Sequence, residues 1–288
     1  MSRVLGLSAG AAGGSAEILL RTALAASAAE NELVRLVDLD LGVQDDLDWL
    51  WEKLVECDGL IVSTPIMSRT MAAGLKLLVD RLLGPNADAA IIEQLVALRR
   101  SGTEPAVPFR VDERVLRPRV AGFLAVGGSL TPQWKTLALP LMHTLTFSMH
   151  IAVADQVVFE GAGTPRSIVL DDAALQRAAT LGANVASQLG KAFDDVSYRG
   201  APGLCPMCHL SVIELTGTAV SCATCGCRGA LTPGGVDWFD RTTSVLSMAE
   251  KRAHAVEIQE TAARHRLQAS EIEKRAASVP DFAPATPR

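Results

Sequence analysis

Residues 3–20, Arg-Val-Leu-Gly-Leu-Ser-Ala-Gly-Ala-Ala-Gly-Gly-Ser-Ala-Glu-Ile-Leu-Leu, decide the fold of this chain. The apolar run 4–7 predicts a strand, and the small residues after it predict a loop. From Ser15 onward, apolar residues at helical spacing predict a helix over 15–29. A strand, a small-residue loop and a helix start together favour anion binding, because free N–H groups and the helix dipole face a closely approaching anion.

The first loop supplies candidate ligands for a phosphate. Its small residues let the backbone approach an anion, and two serines add hydroxyl groups, of which Ser15 is also expected to cap the helix. The loop is neither a GxGxxG fingerprint nor a Walker A loop, since no Gly-Lys-Ser/Thr follows. An ordinary tight connection between a strand and a helix is the alternative interpretation. The candidate residues are Ser8, Gly10, Gly13, Gly14, Ser15 and Ala16.

Composition narrows the class of protein. The chain has 288 residues, of which 49% are hydrophobic and only 4% aromatic, as is typical of an α/β protein with a buried parallel sheet. Its formal net charge of −5 argues against a nucleic-acid partner. No apolar run reaches the roughly 18–20 residues of a membrane span, so we expect no membrane partner. The opening residues do not resemble a signal peptide, and we therefore expect a cytoplasmic location.

Strand-like and helix-like segments alternate along the first two thirds of the chain, which predicts βαβ units and a parallel sheet. Three loops, 8–15, 64–69 and 127–132, follow the first, third and fourth predicted strands. These strands are neighbours in the order 2-1-3-4-5, whose ligand site lies outside the strand ends. The predicted strands are 4–7, 33–37, 59–63, 120–126 and 151–159, and the helices are 15–29, 45–56, 71–83, 88–99, 133–149 and 171–191.

Three motifs follow the first, third and fourth predicted strands: Gly6–Gly10 with Gly13–Glu17, Gly59–Pro65 with Gly74–Lys76 and Val79–Arg81, and Gly127-Gly128. Together they resemble the flavodoxin-like NAD(P)H-dependent FMN reductases, including their iron–sulfur-flavoprotein branch, and the resemblance covers residues 3–190. The family's phosphate loop often carries an Arg and an Asn-Thr pair, where this chain has Gly10 and Ser15-Ala16, so phosphate binding would fall mostly to backbone N–H groups. The branch's cluster cysteines are absent from 38–48, so no iron–sulfur cluster is expected there.

This resemblance implies a flavodoxin-like, doubly wound sheet of five parallel strands over residues 1–195. It implies bound FMN, which supplies the redox chemistry, with NAD(P)H as co-substrate and a small electron acceptor such as a quinone or nitroaromatic. It also implies a homo-oligomer, either dimer or tetramer, and no catalytic side chain. The further cofactor-binding candidates are Thr64, Pro65, Ile66, Met67, Ser68, Gly127, Gly128 and Ser129.

Two other functions remain open at this stage. The chain could be a non-enzymatic flavin electron carrier, or a regulatory module whose cysteine-rich segment binds a partner protein. Alternatively, the first loop could bind another phosphorylated ligand without a redox role. A measurement of NAD(P)H consumption distinguishes the reductase from both of these alternatives.

Two CxxC motifs predict a metal site in a zinc-ribbon-like module over 203–232. Cys205-Pro-Met-Cys208 and Cys222-Ala-Thr-Cys225 are separated by thirteen residues that include a predicted hairpin. Four thiolates in a tetrahedron suit structural Zn²⁺. Iron, held as in rubredoxin, is the alternative, because such a site accepts both metals. Cys227 and His209 are spare ligand candidates.

The C-terminal region predicts a helical arm over 244–278 and a disordered tail over 279–288 that contains three prolines. A narrow apolar stripe would pack the arm on its own subunit or on a second copy. A basic loop before the fourth strand is either a solvated surface or a cover for the flavin edge. The stripe is Leu246, Ala249, Ala253, Val256, Ala263 and Leu267, and the basic residues are Arg110, Arg114, Arg117 and Arg119.

Overall fold

The computed structural model describes residues 2–105 and 107–285, and within them five strands form one parallel sheet in the order β2-β1-β3-β4-β5. This confirms the predicted flavodoxin-like fold class. β3 and β4 are buried along nearly their whole length, which explains why both are apolar without alternation. The strands are β1 (Arg3–Ser8), β2 (Glu30–Arg35), β3 (Gly59–Pro65), β4 (Val120–Val126) and β5 (Ala152–Phe159).

Helices cover both faces of this sheet. The first and the last of the helices given below pack together on one face, and the others lie on the opposite face. Gly182 makes the first contact possible, because a Cβ there would overlap the carbonyl oxygen of Ala23. The helices are α1 (Ser15–Ala26), α2 (Gln44–Glu56), α3 (Ala73–Leu78), α4 (Gly84–Ala87), α5 (Ala89–Arg100), α6 (Ala138–Met142) and α7 (Asp172–Ala186).

The predicted helix over 133–149 is wrong. The segment contains only α6, with 3₁₀ turns at Pro132–Trp134 and His143–Leu145. Pro140 accounts for the late start, since proline is tolerated only in the first turn of a helix. The predicted helix over 71–83 is also divided, into α3 and a π-helical turn at Val79–Leu83.

A second, antiparallel sheet carries the cysteine module. It consists of β6 (Ile213–Thr216), β7 (Ala219–Cys222), β8 (Arg228–Thr232) and β9 (Gly235–Asp240), in that order. The sheet therefore extends beyond residue 232, where we predicted that the module ends. The cysteine cluster packs against Phe147 and Phe193 of the first domain, so the module is attached to the sheet rather than separated by a free linker.

The C-terminal arm consists of α8 (Met248–Leu267) and α9 (Ala269–Ala276). Leu246 of the predicted apolar stripe is buried against the cysteine cluster. Within α8 the stripe is not the packed face, since Leu267 is 90% exposed, whereas Ala255 is buried. Arg252 instead pairs with Glu93 of α5 at 2.8 Å. Residues 279–285 of the predicted tail contain no helix or strand, and residues 286–288 lie outside the described part. Every described helix is too short or too polar to cross a membrane.

Candidate active site and metal centre

The loop between β1 and α1 holds two buried hydroxyl groups that have no partner. Ser8 is fully buried, and alternation along β1 places its side chain on the same face as Val4, towards α1. Among the described residues, neither the Oγ of Ser8 nor that of Ser15 has a hydrogen-bond partner. A buried hydroxyl without a partner is costly, so both positions fit a ligand that offers oxygen acceptors.

Helix α1 begins without a side-chain cap. Gly14 occupies the N-cap position and no side chain accepts a hydrogen bond from the first turn. The predicted cap at Ser15 is therefore wrong, because Ser15 is already the first helical residue and its hydroxyl remains free. Uncapped N–H groups at a helix start attract anions. Gly13 completes the turn at φ +66°, a left-handed conformation that glycine adopts without strain.

An ion pair next to the loop fixes its shape. The side chain of Glu17 is 1% exposed and accepts hydrogen bonds from Arg35 Nε at 2.7 Å and from the backbone N–H of Gly13 at 3.2 Å. The Arg35 guanidinium holds the pKa of the Glu17 carboxyl below its ordinary value. Sequence reasoning missed this pair, because no pattern in the first turn of α1 indicates that Arg35, eighteen residues away, neutralises a buried acid.

The loop after β3 contains a strained turn. The backbones of Met67 and Thr70 exchange two hydrogen bonds, of 2.8 and 3.0 Å, and the two residues between them have positive φ, 47° at Ser68 and 76° at Arg69. Positive φ is costly for residues other than glycine and is concentrated at ligand sites. Thr64 holds the base of the loop, since its Oγ1 accepts a hydrogen bond from the backbone N–H of Ala72 at 3.0 Å.

The predicted loops converge at the carboxyl edge of the sheet. The loop 127–132 lies beside the loop 64–69, because a Cβ on Gly127 would lie 3.3 Å from Ile66. A fourth loop, 160–166, follows β5 and was not among the predicted ones. It passes so close that a Cβ on Gly128 would lie 2.8 Å from the Cα of Gly163. The first loop joins them, since a Cβ on Gly10 would lie 3.4 Å from Pro65.

A cavity of about 230 Å³ lies between the second and third loops. It brings together Ile66, Ser68, Gly127, Gly128 and Ser129 of the predicted residues. Trp134 also lines it and is 56% exposed, a residue that sequence reasoning missed. The Met67 side chain is 57% exposed, while Ala16 is buried in the core beside α1.

The fourth loop places an arginine beside the first loop. A Cβ on Gly13 would lie 3.5 Å from Nη2 of Arg166, so the guanidinium packs against the turn that precedes α1. Sequence reasoning missed Arg166, which follows the strand farthest from β1 on that side of the sheet.

The motifs that build these loops belong to one continuous match. A sequence model of the NADPH-dependent FMN reductases matches residues 2–164, which is more than half of the chain and includes all of β1 to β5. The chain belongs to this family. As an FMN reductase family member it is an oxidoreductase, and the family's cofactors are FMN and NADPH.

Two similar proteins match a larger share of this chain than the family model does. The flavone synthase cfoJ of Aspergillus candidus is 33% identical over 261 residues, which cover 81% of this chain and 79% of that protein. A solved structure described as a flavone reductase is 25% identical, has a TM-score of 0.82, and covers 98% of this chain and 100% of that one. The latter likeness therefore includes the cysteine module and the helical arm.

Four buried thiols form a candidate metal centre. The Sγ atoms of Cys205, Cys208, Cys222 and Cys225 all lie within 4.8 Å of one another, and the closest pairs are 3.4 and 3.5 Å apart. A tetrahedron with Zn–S bonds of about 2.3 Å has edges of about 3.8 Å. The predicted four residues are thus brought together at nearly the spacing that zinc requires.

The spare ligand candidates have other contacts. The Sγ of Cys227 lies 3.6 Å from the carbonyl oxygen of Asp240, and the ring of His209 stacks on Tyr198 with 3.8 Å between centroids. Neither belongs to the group of four sulfur atoms in the described structure. We therefore assign the candidate centre to the two CxxC motifs alone.

The basic loop before β4 does not cover the flavin edge. Arg110 pairs with Asp48, Arg117 pairs with Asp58, and Arg119 is buried with its guanidinium on backbone carbonyl oxygens, one of them of Val55. Val55 and Asp58 lie at the end of α2 and before β3, on the opposite edge of the sheet from the four loops, while Asp48 lies on α2. Arg110 and Arg117 are exposed, so the solvated-surface interpretation holds for them, whereas Arg119 is a buried structural partner.

Proposed function

We propose that this chain transfers electrons from NAD(P)H, through FMN, to a small planar aromatic acceptor. The observation that carries the proposal is the pair of partnerless buried hydroxyl groups, Ser8 and Ser15, at the uncapped start of α1. Phosphate oxygens accept hydrogen bonds from hydroxyl and backbone N–H donors, and the helix dipole favours their charge. The phosphate of FMN is the anion that the family uses, and it fits this donor set.

The remaining predicted residues would hold the flavin ring. We assign the ring to the cavity between the second and third loops, which Ile66, Gly127 and Gly128 line. Its volume, about 230 Å³, is below the roughly 300–1,000 Å³ of most ligand pockets, so it suits one flat ring system at a time. When bound, FMN accepts a hydride from NAD(P)H and returns it to an acceptor.

The acceptor we favour is a flavone-like enone. The two similar proteins are a flavone synthase and a flavone reductase by description, and a flavone is a flat aromatic ketone conjugated with a carbon–carbon double bond. Addition of one hydride and one proton across that bond consumes one NAD(P)H and one proton. Trp134, half exposed at the edge of the cavity, offers an aromatic face on which such a ring system would stack.

The cysteine centre has a structural role in this proposal. We propose Zn²⁺ as its metal, because four thiolates complete a tetrahedron and leave no open position for a substrate. Its thiol cluster packs on Phe147, close to the parallel sheet, so the metal would stabilise the attachment of the module. The homo-oligomer and the cytoplasmic location stay predictions from the sequence.

The first test is the visible absorption spectrum of the purified, untreated chain, followed by anaerobic titration with NADPH. We expect a flavin spectrum that bleaches. Reoxidation is then followed with flavone, a quinone and a nitroarene in parallel, and the flavone product is expected to gain two mass units. Bleaching with reoxidation only by the quinone or nitroarene would reject the enone and keep the reductase.

The same experiment separates the competing functions. A flavin spectrum that NADPH does not bleach would indicate an electron carrier that a partner protein reduces. A colourless chain that also fails to bind added FMN would contradict the flavin proposal as a whole. A red iron–thiolate absorption band would show that the four-cysteine centre holds iron rather than zinc.

A further inference from the structure

The first loop offers a phosphate no positively charged side chain. Its own sequence, 8–16, contains no lysine or arginine. The nearest charged side chain in α1 is Glu17, which is an acid, and Arg35 is already engaged in neutralising it. Serine and backbone donors supply hydrogen bonds and the helix dipole, but a charged donor would bind the phosphate more strongly.

Arg166 is a free cation at this loop. Its Nη2 lies 3.5 Å from the position of a Cβ on Gly13, and its Cζ and Nε lie 3.9 Å from it. Within the described part of the chain, the guanidinium forms no ion pair and donates no hydrogen bond. Side chains of this kind form two parallel hydrogen bonds with phosphate.

The backbone holds Arg166 in this place. The residue has φ +65°, a left-handed conformation that is costly for arginine and persists only where the surroundings enforce it. Two residues later, Ile168 is buried in the core cluster that also contains Leu19 and Leu20 of α1. The loop that carries the guanidinium is therefore anchored to the helix whose start would hold the phosphate.

We propose that Arg166 binds the phosphate of FMN. The inference rests on the proposed function, because it requires the phosphate to lie at Ser8, Ser15 and the start of α1. The partnerless, fully buried hydroxyl of Ser8 is the independent sign of an anion there. Gly13 contributes through its positive φ, which shapes the turn against which the guanidinium packs.

The test compares the binding of FMN with that of riboflavin, which lacks the phosphate. Full-length chain stripped of flavin is titrated, and flavin fluorescence reports the Kd without any turnover. We expect Arg166→Gln to weaken FMN binding by about 10- to 100-fold, as the loss of a charge-assisted hydrogen bond predicts. Riboflavin binding should change less than about 2-fold. Arg166→Lys, which keeps the charge but loses the planar fork, should give an intermediate loss.

Arg21→Gln is the matched control. Arg21 is exposed on α1, so its substitution changes the net charge equally while leaving the loop intact. Its effect on FMN affinity should stay below about 2-fold, because solvent and salt screen an exposed surface charge.

Four results would overturn the proposal. Unchanged FMN affinity in Arg166→Gln, with the unmodified chain still preferring FMN to riboflavin, would assign the phosphate to the first loop alone and leave the proposed function intact. Equal losses for FMN and riboflavin would show a structural role for the fourth loop. A changed preference between NADPH and NADH with unchanged FMN affinity would indicate that the guanidinium binds the 2′-phosphate of NADPH instead. An unmodified chain that binds neither flavin would overturn both proposals.

Discussion

The side-chain amide nitrogen of Gln156 donates a hydrogen bond of 2.7 Å to the backbone carbonyl oxygen of Cys208. The bond joins β5 of the parallel sheet to the first CxxC motif. The Oε1 of the same amide lies 3.0 Å from Nε2 of His143. Burial lowers the pKa of His143 to about 4, so the imidazole is neutral at pH 7 and Nε2 donates. The buried amide therefore links the two domains through its nitrogen, while its oxygen binds His143 within the first domain.

We expect Gln156→Met to destabilise the chain by about 1–3 kcal/mol, because methionine has a similar shape but leaves the carbonyl oxygen of Cys208 and the Nε2 of His143 without partners. Urea unfolding followed by circular dichroism measures the loss. Gln176→Met is the control, since Gln176 is exposed on α7 and its change should stay within about 0.5 kcal/mol. Equal effects of the two substitutions would show that the link between the domains does not stabilise them.

The metal centre makes a prediction about which cysteines retain the ion. We expect one Zn²⁺ per chain by elemental analysis, and loss of the metal together with a lower melting temperature in Cys222→Ser, because three thiolates bind zinc much more weakly than four. Cys227→Ser is the matched control, as this thiol is equally buried but lies on Asp240. Retention of the metal by Cys222→Ser together with its loss in Cys227→Ser would show that Cys227, and not Cys222, binds the metal.

Because the hydroxyl of Ser8 has no partner, we expect its removal to affect folding stability and FMN binding in opposite directions. Without ligand, Ser8→Ala should leave the free energy of unfolding unchanged or raise it by about 1 kcal/mol, because it removes a buried group that has no partner. With FMN, the same variant should bind more weakly by about 3- to 10-fold, since a neutral hydrogen bond to phosphate is lost. Thermal unfolding with and without FMN measures both quantities on one sample. A loss of stability without ligand would instead indicate that Ser8 has a partner within the protein.

The local sequence pattern was sufficient to predict the order of the parallel sheet and the four candidate metal ligands. Most of the five strands are short apolar runs between turn residues, whereas β2 is mostly polar and begins three residues earlier than predicted. The order follows from connecting the strands by helices with the usual handedness. The two CxxC motifs each place two thiols on one turn, so their spacing alone predicts which sulfur atoms meet. Both inferences depend on residues that are close in sequence.

What the sequence could not predict depends on contacts between distant residues. The helical spacing in α8 indicates an apolar stripe, but the packed side of α8 is set by Glu93 on α5, which pairs with Arg252. In the same way, the position of Arg166 beside Gly13 follows from the packing of Ile168 under α1. A residue carries no local sign that its partner lies on another strand of the sheet, so these relationships appear only in three dimensions.

The buried ion pair of Glu17 and Arg35 predicts an acid-dependent stability. Because the pKa of Glu17 lies below its ordinary 4.5 in the folded chain, its contribution is complete above about pH 5 and is lost as the pH falls through the lowered pKa. Glu17→Gln should therefore lower the free energy of unfolding at pH 7 by about 1–3 kcal/mol, and the difference from the unmodified chain should shrink below pH 4.5. Urea unfolding between pH 7 and pH 3 measures this profile.

The control is Glu32→Gln, which breaks the pair between Glu32 and Lys53, 2.7 Å apart and with the carboxylate half exposed. Solvent screens such surface pairs, so this substitution should cost at most about 1 kcal/mol at any pH. The loop gives a second readout, because Glu17 also accepts the N–H of Gly13 at 3.2 Å. Glu17→Gln should thus raise hydrogen exchange at Gly13, whereas Glu32→Gln should not. A stability difference for Glu17→Gln that stays constant from pH 7 to pH 3 would show that the carboxylate is not stabilised by Arg35.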